Sequence, residues 1–566
     1  MSVEEDDDAA STRTLLALAE YSRILSDDRP MSTAQCTRSD GSLDSRLHAQ
    51  FLAKEKELEN AERNHFQSLV QVLQEEENPT GPRKKSRRSW KKRACKSLRP
   101  YYFDDNGNRK HLKPRETLWY IVCCSQNPNN QPATSSKLFA KFRRRFRLPF
   151  EEFKRFLATV SVHPLFVRWT RRDATGRPAS PIGLLLLGAL RYLGRGLTFD
   201  DLEEYTAIDE ETHRQFFHQF ILHGETVMFP QHVRMPTTAE EFKTHMSEFY
   251  TGGLWGAGFS ADATNVVMWR CEHNLKQANT GWKNTHPARS YNVCVNHRRR
   301  ILSSTTGHPS RWNDKTLAWA DPLMKGIHTG RILQDVQFKL LYWEGEPGKS
   351  KTLEKKYRGA WGIVDNGYHR WSCTQAPAKV NYLLTEQRLS DWIESFRKDI
   401  ECTFGILKGR WRILKTGIRL EGSIAADRIW LTCCALHNML LEIDGLNEQW
   451  EDGAPSDWEG DMGNNDVDDC QKHAPFAIRR LNNPQLQAFG WRQHENNDCE
   501  NIVLSRERAN NMPDAAEEEE DDDMDDDLVT DERIHADGSV YVNSLSYFEF
   551  RKRLVEHFDI LHRQHR

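Results

Sequence analysis

The period of the hydrophobic pattern changes twice along this chain, and those changes constrain the fold more than any other feature. Apolar residues recur at helical spacing at 137–165. From Leu254 the pattern becomes that of short strands bounded by polar and turn residues, and from Asp391 it is helical again. Strands followed by a strand–helix pair and a long helix predict a mixed α/β layer fold.

The strand and helix patterns of this part of the chain have definite bounds. The predicted strands are Ala257–Ala263, Val266–Cys271, Tyr291–Asn296, Arg299–Thr305 and Ala360–Val364. The predicted helices are Asp391–Leu414 and Ala425–Ile443. A further helix with a capping box at Ser546 and Glu549 is predicted near the end of the sequence, either packed on the core or free to bind a partner.

A signature of three helices precedes the strands. Pro181 opens a helix that Gly196 ends, and Thr198 and Asp209 are suited to cap two shorter helices. Two short helices joined by a tight turn resemble a helix-turn-helix unit, here at 181–222. A plain packing bundle is the alternative, because two glutamates begin the would-be recognition helix and their charge repels phosphate.

Charge is segregated into blocks. The formal net charge is only −3, yet Arg83 to Arg99 holds ten Lys and Arg and no acid, and Glu517 to Asp527 holds ten acids in eleven residues. The basic block is typical of a nuclear-import or phosphate-contacting segment, and a solvated linker is the alternative. The acidic block and the polar residues at 1–45 predict disordered tails.

Two classes of protein are disfavoured by the sequence. It contains no apolar run of about 18 residues, so no membrane span is predicted, and the acidic first residues lack the apolar region of a secretory signal. The twelve cysteines are scattered without a Cys-x-x-Cys pair, which predicts free thiols in a reducing compartment.

Three carboxylates occupy positions where a sheet and a helix can bring them together. Asp262 ends a predicted strand, Asp365 directly follows another, and Glu401 lies on a predicted helix beside its buried face. Such a set can hold two hard divalent cations for phosphodiester chemistry. Arg397 and Lys408 follow the same helix edge and are candidates to contact phosphate. Taken singly, each of these residues is also consistent with an ordinary surface side chain.

An ordered series of motifs resembles PIF/Harbinger-type transposases of the DDE endonuclease superfamily, in the plant-transposon branch. The motifs are Ser-Ala-Asp-Ala-Thr at 260–264, Gly-His-Pro-Ser-Arg-Trp-Asn-Asp-Lys at 307–315, Val-Asp-Asn-Gly-Tyr at 364–368, Arg-Lys-Asp-Ile-Glu-Cys-Thr-Phe-Gly-Ile-Leu-Lys-Gly-Arg-Trp at 397–411 and Ala-Leu-His-Asn-Met-Leu at 435–440. The sequence departs from the family pattern at Asn265, where many relatives have histidine, and at Ser310, where the family has glycine.

The resemblance implies an RNase H-like fold in which Asp262, Asp365 and Glu401 are the catalytic and metal-holding residues. It implies two Mg²⁺ or Mn²⁺ ions, cleavage and joining of DNA at transposon ends, and action in the nucleus. Asp314 matches a recurrent family aspartate and is expected to support the site. A separate Myb-like protein often supplies DNA binding in this class, and we also expect a homo-oligomer.

Two other functions stay open from the sequence. One is a domesticated, transposase-derived protein that binds DNA or chromatin without cutting it. The other is a nuclease that acts on RNA, because RNase H-like sheets serve many functions.

The predicted domain organisation has four parts. Residues 1–100 are mostly disordered, with a helix at 47–77 and the basic block at 83–99. A helical domain at 101–250 precedes the nuclease domain at 251–445, and a polar, acidic tail with a short helix occupies 446–566.

Overall fold

The structure is a computed structural model of the chain. It describes residues 101–103, 107–125, 137–172, 176, 178–281, 285–345, 351–378, 383–444 and 532–564. The predicted helix at 47–77, the basic block at 83–99 and the acidic block lie outside the described residues.

Helices dominate the described residues between 101 and 251. A two-stranded ribbon of β1 (Tyr101–Phe103) and β2 (Arg109–His111) comes first. The helices that follow are α1 (Lys137–Phe146), α2 (Phe150–Val162), α3 (Ile182–Arg195), α4 (Phe199–Thr206), α5 (Glu210–His223), α6 (Phe229–His232) and α7 (Ala239–Thr251). Leucines and phenylalanines from α1 to α5 form one buried cluster, which explains why an apolar stripe recurs at helical spacing there, whereas Phe242 and Phe249 of α7 lie in a second cluster.

The predicted caps of the three-helix signature are present. The Thr198 hydroxyl accepts from the Asp201 backbone N–H and the Asp209 carboxylate accepts from that of Glu211, so α4 and α5 begin at the residues that the sequence indicates. Gly196 ends α3 in the left-handed region, at φ 66°. The three helices are therefore present, whereas the helix-turn-helix interpretation and DNA reading by this unit stay predictions.

A mixed sheet forms the centre of the region after residue 256. Its strands are β3 (Ala257–Val267), β4 (Ala288–Val295), β5 (Ile301–Ser304), β6 (His308–Pro309), β9 (Trp361–Ile363) and β10 (Thr374–Gln375). The strand order is β10-β9-β3-β4-β5, with β6 beside β4. The β3–β4–β5 part is antiparallel, and β9 and β10 are added in parallel, so the mixed α/β prediction is confirmed.

One strand prediction was wrong in its bounds. The sequence suggested a break between Ala263 and Val266, but β3 is a single strand of 11 residues. The polar pair in the middle does not interrupt pairing, because Ser260 to Val267 is matched residue by residue with β4. Polar side chains on one face of a strand leave its backbone ladder intact.

Side chains of the sheet alternate between two cores. Tyr291 and Val293 of β4 lie in the cluster shared with the helical region, whereas Cys294 lies in a second cluster on the opposite face. This period of two places Asp262, which is paired with Val293, on the same face as the first cluster.

Two long helices cover that face. They are α10 (Leu384–Arg410) and α12 (Ser423–Ile443), joined through the short α11 (Ile413–Thr416). Helix α12 also packs on the helical region at Gly224, where a Cβ atom would stand 1.9 Å from the Thr432 hydroxyl oxygen. This glycine therefore allows a close approach that a larger residue would prevent.

A smaller sheet and the C-terminal residues lie on the opposite face. Strands β7 (Gln337–Glu344) and β8 (Lys351–Arg358) form a hairpin, and β11 (Val540–Tyr541) pairs in parallel with β8. Two short helices, α8 (Asp314–Ala320) and α9 (Pro322–His328), precede this hairpin. The last helix, α13 (Tyr547–Gln564), begins with the predicted Ser546–Glu549 capping box and buries Phe550 in the second core cluster. Of the two predicted roles for this helix, the structure shows packing on the core.

Two smaller observations concern helices and thiols in the described ranges. No described helix has both the length and the apolar character that a membrane crossing requires. The eight described cysteines are all free thiols.

Candidate active site

Asp262 lies in the middle of β3, with its carboxylate half-buried under α10. Its Oδ1 accepts a hydrogen bond of 2.7 Å from the Ala263 backbone N–H. Burial raises the pKa of Asp262 to about 6, against the lowering effects of that hydrogen bond and of Arg397. The negative charges of Asp314 and Asp365 raise this pKa further, so the three aspartates lie close enough to interact.

Asp365 lies two residues after the end of β9, separated from it by Val364, and begins a tight turn. Its Oδ1 accepts from the Asn366 backbone N–H at 2.6 Å, and its carbonyl accepts from the Tyr368 N–H. Asp314, the first residue of α8, lies against this turn, since a Cβ atom on Gly367 would be 2.7 Å from Asp314 Oδ2. The glycine therefore leaves space for the Asp314 carboxylate.

Glu401 lies on α10, and Arg397 connects it to Asp262. The Arg397 guanidinium is 2.9 Å from Glu401 Oε1, 2.7 Å from Glu394 Oε1 and 3.7 Å from Asp262 Oδ2. Glu401 is 52% exposed, whereas Arg397 is only 13% exposed, so the carboxylate can rotate more freely than the arginine. Glu394, Arg397 and Glu401 therefore lie along one edge of α10, as the sequence predicted. The Arg397 guanidinium lies among three carboxylates.

Donor chemistry and side-chain spacing decide whether these carboxylates can bind divalent cations. All the acidic groups offer hard oxygen donors, and their mutual repulsion is what a cation would relieve. Within the described ranges, however, no three His, Cys, Asp or Glu side chains are gathered closely enough to hold one metal ion. The donor chemistry therefore fits, and the carboxylates need a side-chain rotation, above all of Glu401, to converge.

Lys408 binds strand β3 directly. Its Nζ donates to the Thr264 hydroxyl at 2.6 Å and to the Asn265 carbonyl at 3.1 Å. Burial lowers the pKa of Lys408 to about 8. In this structure the ammonium group therefore ties α10 to the strand that carries Asp262, two residues from that carboxylate.

A buried polar network behind the aspartates was missed in the sequence. The Tyr368 hydroxyl donates to Asn292 Oδ1 at 2.6 Å, and the Asn292 amide donates to Asp321 Oδ2 at 3.0 Å. The Asp321 carboxylate also caps α9, and burial raises its pKa. Its place before Pro322 is a helix-start signal that could have identified the cap, though not the network.

The two departures from the family pattern have structural explanations. Ser310 is buried, and its hydroxyl donates to the Asn279 carbonyl while accepting from the Gly281 N–H. The Asn265 side chain accepts from the Ser290 hydroxyl on β4. Ser310 therefore fixes the loop between β3 and β4, and Asn265 adds a side-chain link between those two strands.

The His437 and Asn438 pair belongs to the packing of α12. His437 is fully buried with Nε2 hydrogen-bonded to the Arg299 carbonyl, and Asn438 pairs with both backbone groups of Ile301. These contacts confirm the structural role expected for a buried histidine in an apolar helix.

One known protein family matches the part of the chain that contains these residues. Residues 261–438 match the family described as DDE superfamily endonuclease. This region of the chain is therefore similar to DDE superfamily endonuclease domains. The match begins one residue before Asp262 and ends at Asn438, so Asp314, Asp365 and Glu401 all lie within it. The family resemblance found in the sequence is thereby confirmed.

One curated relative of the chain is a plant protein. It is Protein ALP1-like of Arabidopsis thaliana, 24% identical over 297 residues, which cover 51% of this chain and 67% of that protein. No solved structure matched the chain.

Proposed function

We propose that this protein is a metal-dependent DNA endonuclease of the transposase type, which cleaves and joins phosphodiester bonds at transposon ends. The observation that carries the proposal is that Asp314 and Asp365 lie near enough to Asp262 to raise its pKa, while Arg397 links Asp262 to Glu401, all within the region that matches the DDE superfamily endonuclease family. The mixed sheet flanked by helices supports an RNase H-like fold for that domain.

Asp262, Asp365 and Glu401 are the residues that would hold the two Mg²⁺ or Mn²⁺ ions. When bound, such a pair of ions activates water or a 3′-hydroxyl and stabilises the leaving oxygen. Asp314 supports the site from the first turn of α8, and Lys408 keeps α10 fixed to β3. Glu401 would leave its ion pair with Arg397 in order to bind a metal ion, and Arg397 would remain beside the site, where it could contact phosphate.

A second candidate function is DNA or chromatin binding without cleavage. The observation that favours it is the arginine between Asp262 and Glu401, together with the lack of a preformed metal-holding group among the described residues. A permanently bound guanidinium would neutralise the acids and make the cations unnecessary.

The remaining sequence expectations stand as parts of the same proposal. The basic block at 83–99 supports action in the nucleus by its composition. DNA is the partner that the domain family favours, with a Myb-like protein and a second copy of the chain as further partners. The 181–222 helices are a candidate for reading DNA, since most side chains of α5 that do not pack in the core are polar.

The test is a cleavage assay on the full chain. Supercoiled plasmid and duplexes with candidate terminal repeats are incubated with Mg²⁺ or Mn²⁺, and an RNA duplex competes in parallel. The variants are Asp262→Asn, Asp365→Asn and Glu401→Gln, with Glu394→Gln as a matched control that also pairs with Arg397. Each of the first three is expected to lower the rate at least about 100-fold, and the control by less than about threefold.

Two results contradict the proposal. If the unsubstituted protein binds DNA but does not cleave it with either metal, the binding function is favoured. If RNA is cut in preference to DNA, the substrate class is wrong.

A further inference from the structure

An exposed tryptophan ring lies on the loop that leads into α8, two residues before Asp314. Trp312 is 40% exposed, whereas Trp361, Trp411 and Trp430 of the same region are fully buried. A single exposed apolar side chain is ordinary on a protein surface. The geometry of this ring and its position therefore decide whether it has a role.

The His308 imidazole covers one face of the Trp312 ring. The two ring centres are 4.5 Å apart and the ring planes differ by 16°, which is a stacked arrangement. Within the part of the chain that the structure describes, no second aromatic ring and no cation contacts this indole. Because stacking covers one face, the exposed area lies on the opposite face and on the edges of the ring.

The loop that carries both rings is fixed at several points. His308 belongs to β6 and pairs with Ser290 of β4. The Trp312 backbone N–H donates to the Pro309 carbonyl at 3.0 Å, and the Asn313 side chain caps α8. The stacked pair is therefore held in place before any ligand binds, which lowers the entropy cost of binding.

The same loop places the indole beside the acidic site. Trp312 and Asp314 are two residues apart, so their Cα atoms are separated by at most about 7 Å. Asp314 lies against the turn that begins at Asp365, since a Cβ atom on Gly367 would be 2.7 Å from Asp314 Oδ2. A DNA strand with a phosphate in the acidic site therefore brings its neighbouring nucleotides close to the Trp312 ring.

A basic side chain lies next to the ring in sequence. Arg311 directly precedes Trp312 and is exposed, and it makes no ion pair with any residue of the described ranges. Surfaces that bind a single nucleic-acid strand combine an aromatic ring, on which a base stacks, with a cation that contacts the backbone phosphate. This combination beside the acidic site favours a DNA strand over a protein segment as the occupant.

Stacking requires access to the flat face of a base. Inside a duplex, both faces of each base are covered by the neighbouring base pairs, so an indole can reach only a base that has left the stack. The feature of the substrate that the ring would recognise is therefore an unpaired base.

We propose that Trp312, backed by His308, stacks on an unpaired nucleobase of the DNA strand that enters the acidic site. The inference rests on the proposed function for DNA as the substrate, and it adds that an unpaired base lies next to the bond that is cut. Arg311 contacts the backbone phosphate of the same strand. Stacking on an aromatic ring tolerates every base, so this contact recognises the unpaired state and not the sequence.

The test compares two DNAs by fluorescence anisotropy on the full chain in EDTA, so that cleavage plays no part. One is a fully paired duplex, and the other is the same duplex with a short unpaired flank at each end. Trp312→Ala removes the ring, whereas Trp312→Tyr keeps an aromatic face.

The control variant is Trp269→Ala. Trp269 is 51% exposed and lies just after β3, seven residues beyond Asp262, which is roughly 20 Å away along an extended strand. Thermal unfolding of all variants checks that the fold is retained.

The unsubstituted protein is expected to prefer the flanked DNA. Trp312→Ala should lose affinity for that DNA on the order of 10-fold, while its affinity for the paired duplex stays within about twofold. Trp312→Tyr should keep most of the preference, and Trp269→Ala should keep all of it. A 2-aminopurine base in the flank gives a second readout, since stacking quenches its fluorescence, and the Trp312-dependent quenching should be lost in Trp312→Ala.

Three results would overturn the proposal. They are the same affinity of Trp312→Ala and the unsubstituted protein for the flanked DNA, an equal loss of affinity for both DNAs, and a change of oligomeric state in Trp312→Ala with DNA binding unaltered. The last result would mean that the ring packs against a second copy of the chain.

The outcome for the proposed function is read separately. If the unsubstituted protein binds neither DNA, both proposals are wrong. If the flanked DNA is preferred through Trp312 but no DNA is cut with Mg²⁺ or Mn²⁺, the stacking site is supported and only the cleavage activity is contradicted.

Discussion

At the level of single residues, the electrostatics of the acidic site depend mainly on Arg397 and Asp262. Arg397 contacts Glu394 and Glu401 and approaches Asp262, so its positive charge offsets part of the negative charge of these carboxylates when no cation is bound. Asp262 is the more buried acid, and its raised pKa records the free-energy cost of keeping a carboxylate there beside other acids. Such a cost is typical of positions retained for function.

Removing the Asp262 charge is expected to stabilise the protein at neutral pH without metal. The folded protein binds more protons than the unfolded chain between pH 3.8 and about 6, so stability falls as pH rises through that window. Asp262→Asn should therefore be more stable than the unsubstituted protein by about 1–3 kcal/mol at pH 7 in EDTA.

Urea unfolding at several pH values measures this difference. It should shrink below pH 6 and vanish near pH 4. An Asp262→Asn variant that is less stable at pH 7, or a difference that does not change with pH, would contradict the electrostatic explanation.

At the level of elements, α10 is held in place by a buried ion pair as well as by its apolar stripe. Asp399 is 5% exposed, one of its carboxylate oxygens lies against His297 Nδ1, and Arg299 lies at 3.8 Å from the other oxygen. Both partners belong to the turn between β4 and β5, so this pair links the helix that carries Glu401 to the central sheet.

Breaking this buried pair should destabilise the fold strongly. Asp399→Ala leaves the buried Arg299 guanidinium without this carboxylate and is expected to cost about 3–5 kcal/mol of unfolding free energy. Glu394→Gln, on the same helix but 40% exposed, should cost less than about 1 kcal/mol. Denaturant unfolding compares the two, and similar losses would mean that the Asp399 pair has no special role.

Some of these elements and contacts could be predicted from the sequence, and others could not. Thr198 and Asp209 were identifiable because a cap uses residues adjacent in sequence. The Asp365 and Glu401 positions followed from motif order, whereas the ion pairs of Arg397 depend on side-chain rotation that no spacing encodes. The hairpin of β7 and β8 was missed. Strand β8 is largely charged and half-exposed, which hides any apolar alternation, although the apolar residues of β7 are a signal that could have indicated a strand.

At the level of the whole molecule, the C-terminal residues complete the region that contains the site. Strand β11 extends the smaller sheet, and α13 buries Phe550 against Trp361, the first residue of the strand that precedes Asp365. Arg551 of the same helix donates to the Ala376 carbonyl at 2.9 Å and to the Ser390 hydroxyl at 2.8 Å. The sequence could not choose this docking, since its partners lie more than 150 residues earlier in the chain.

Loss of the Phe550 side chain should therefore weaken the whole fold. Phe550→Ala removes a fully buried ring and is expected to cost about 3–5 kcal/mol. Phe548→Ala, in the same helix with 55% of the side chain exposed, should cost less than about 1 kcal/mol. Chemical unfolding of the full chain checks both values, and equal effects would mean that α13 does not support the core.

The central claim is that Asp262, Asp365 and Glu401 share two divalent cations. The most direct measurement is Mn²⁺ titration of the full chain by calorimetry near pH 7, with Asp262→Asn, Asp365→Asn, Glu401→Gln and the Glu394→Gln control. We predict about two Mn²⁺ ions per unsubstituted chain, weaker or lost binding in the first three variants, and unchanged binding in the control. Proton release should accompany binding near pH 6, because a cation displaces the proton from Asp262. No binding to the unsubstituted protein at millimolar Mn²⁺, or the same binding in all variants, would contradict the account.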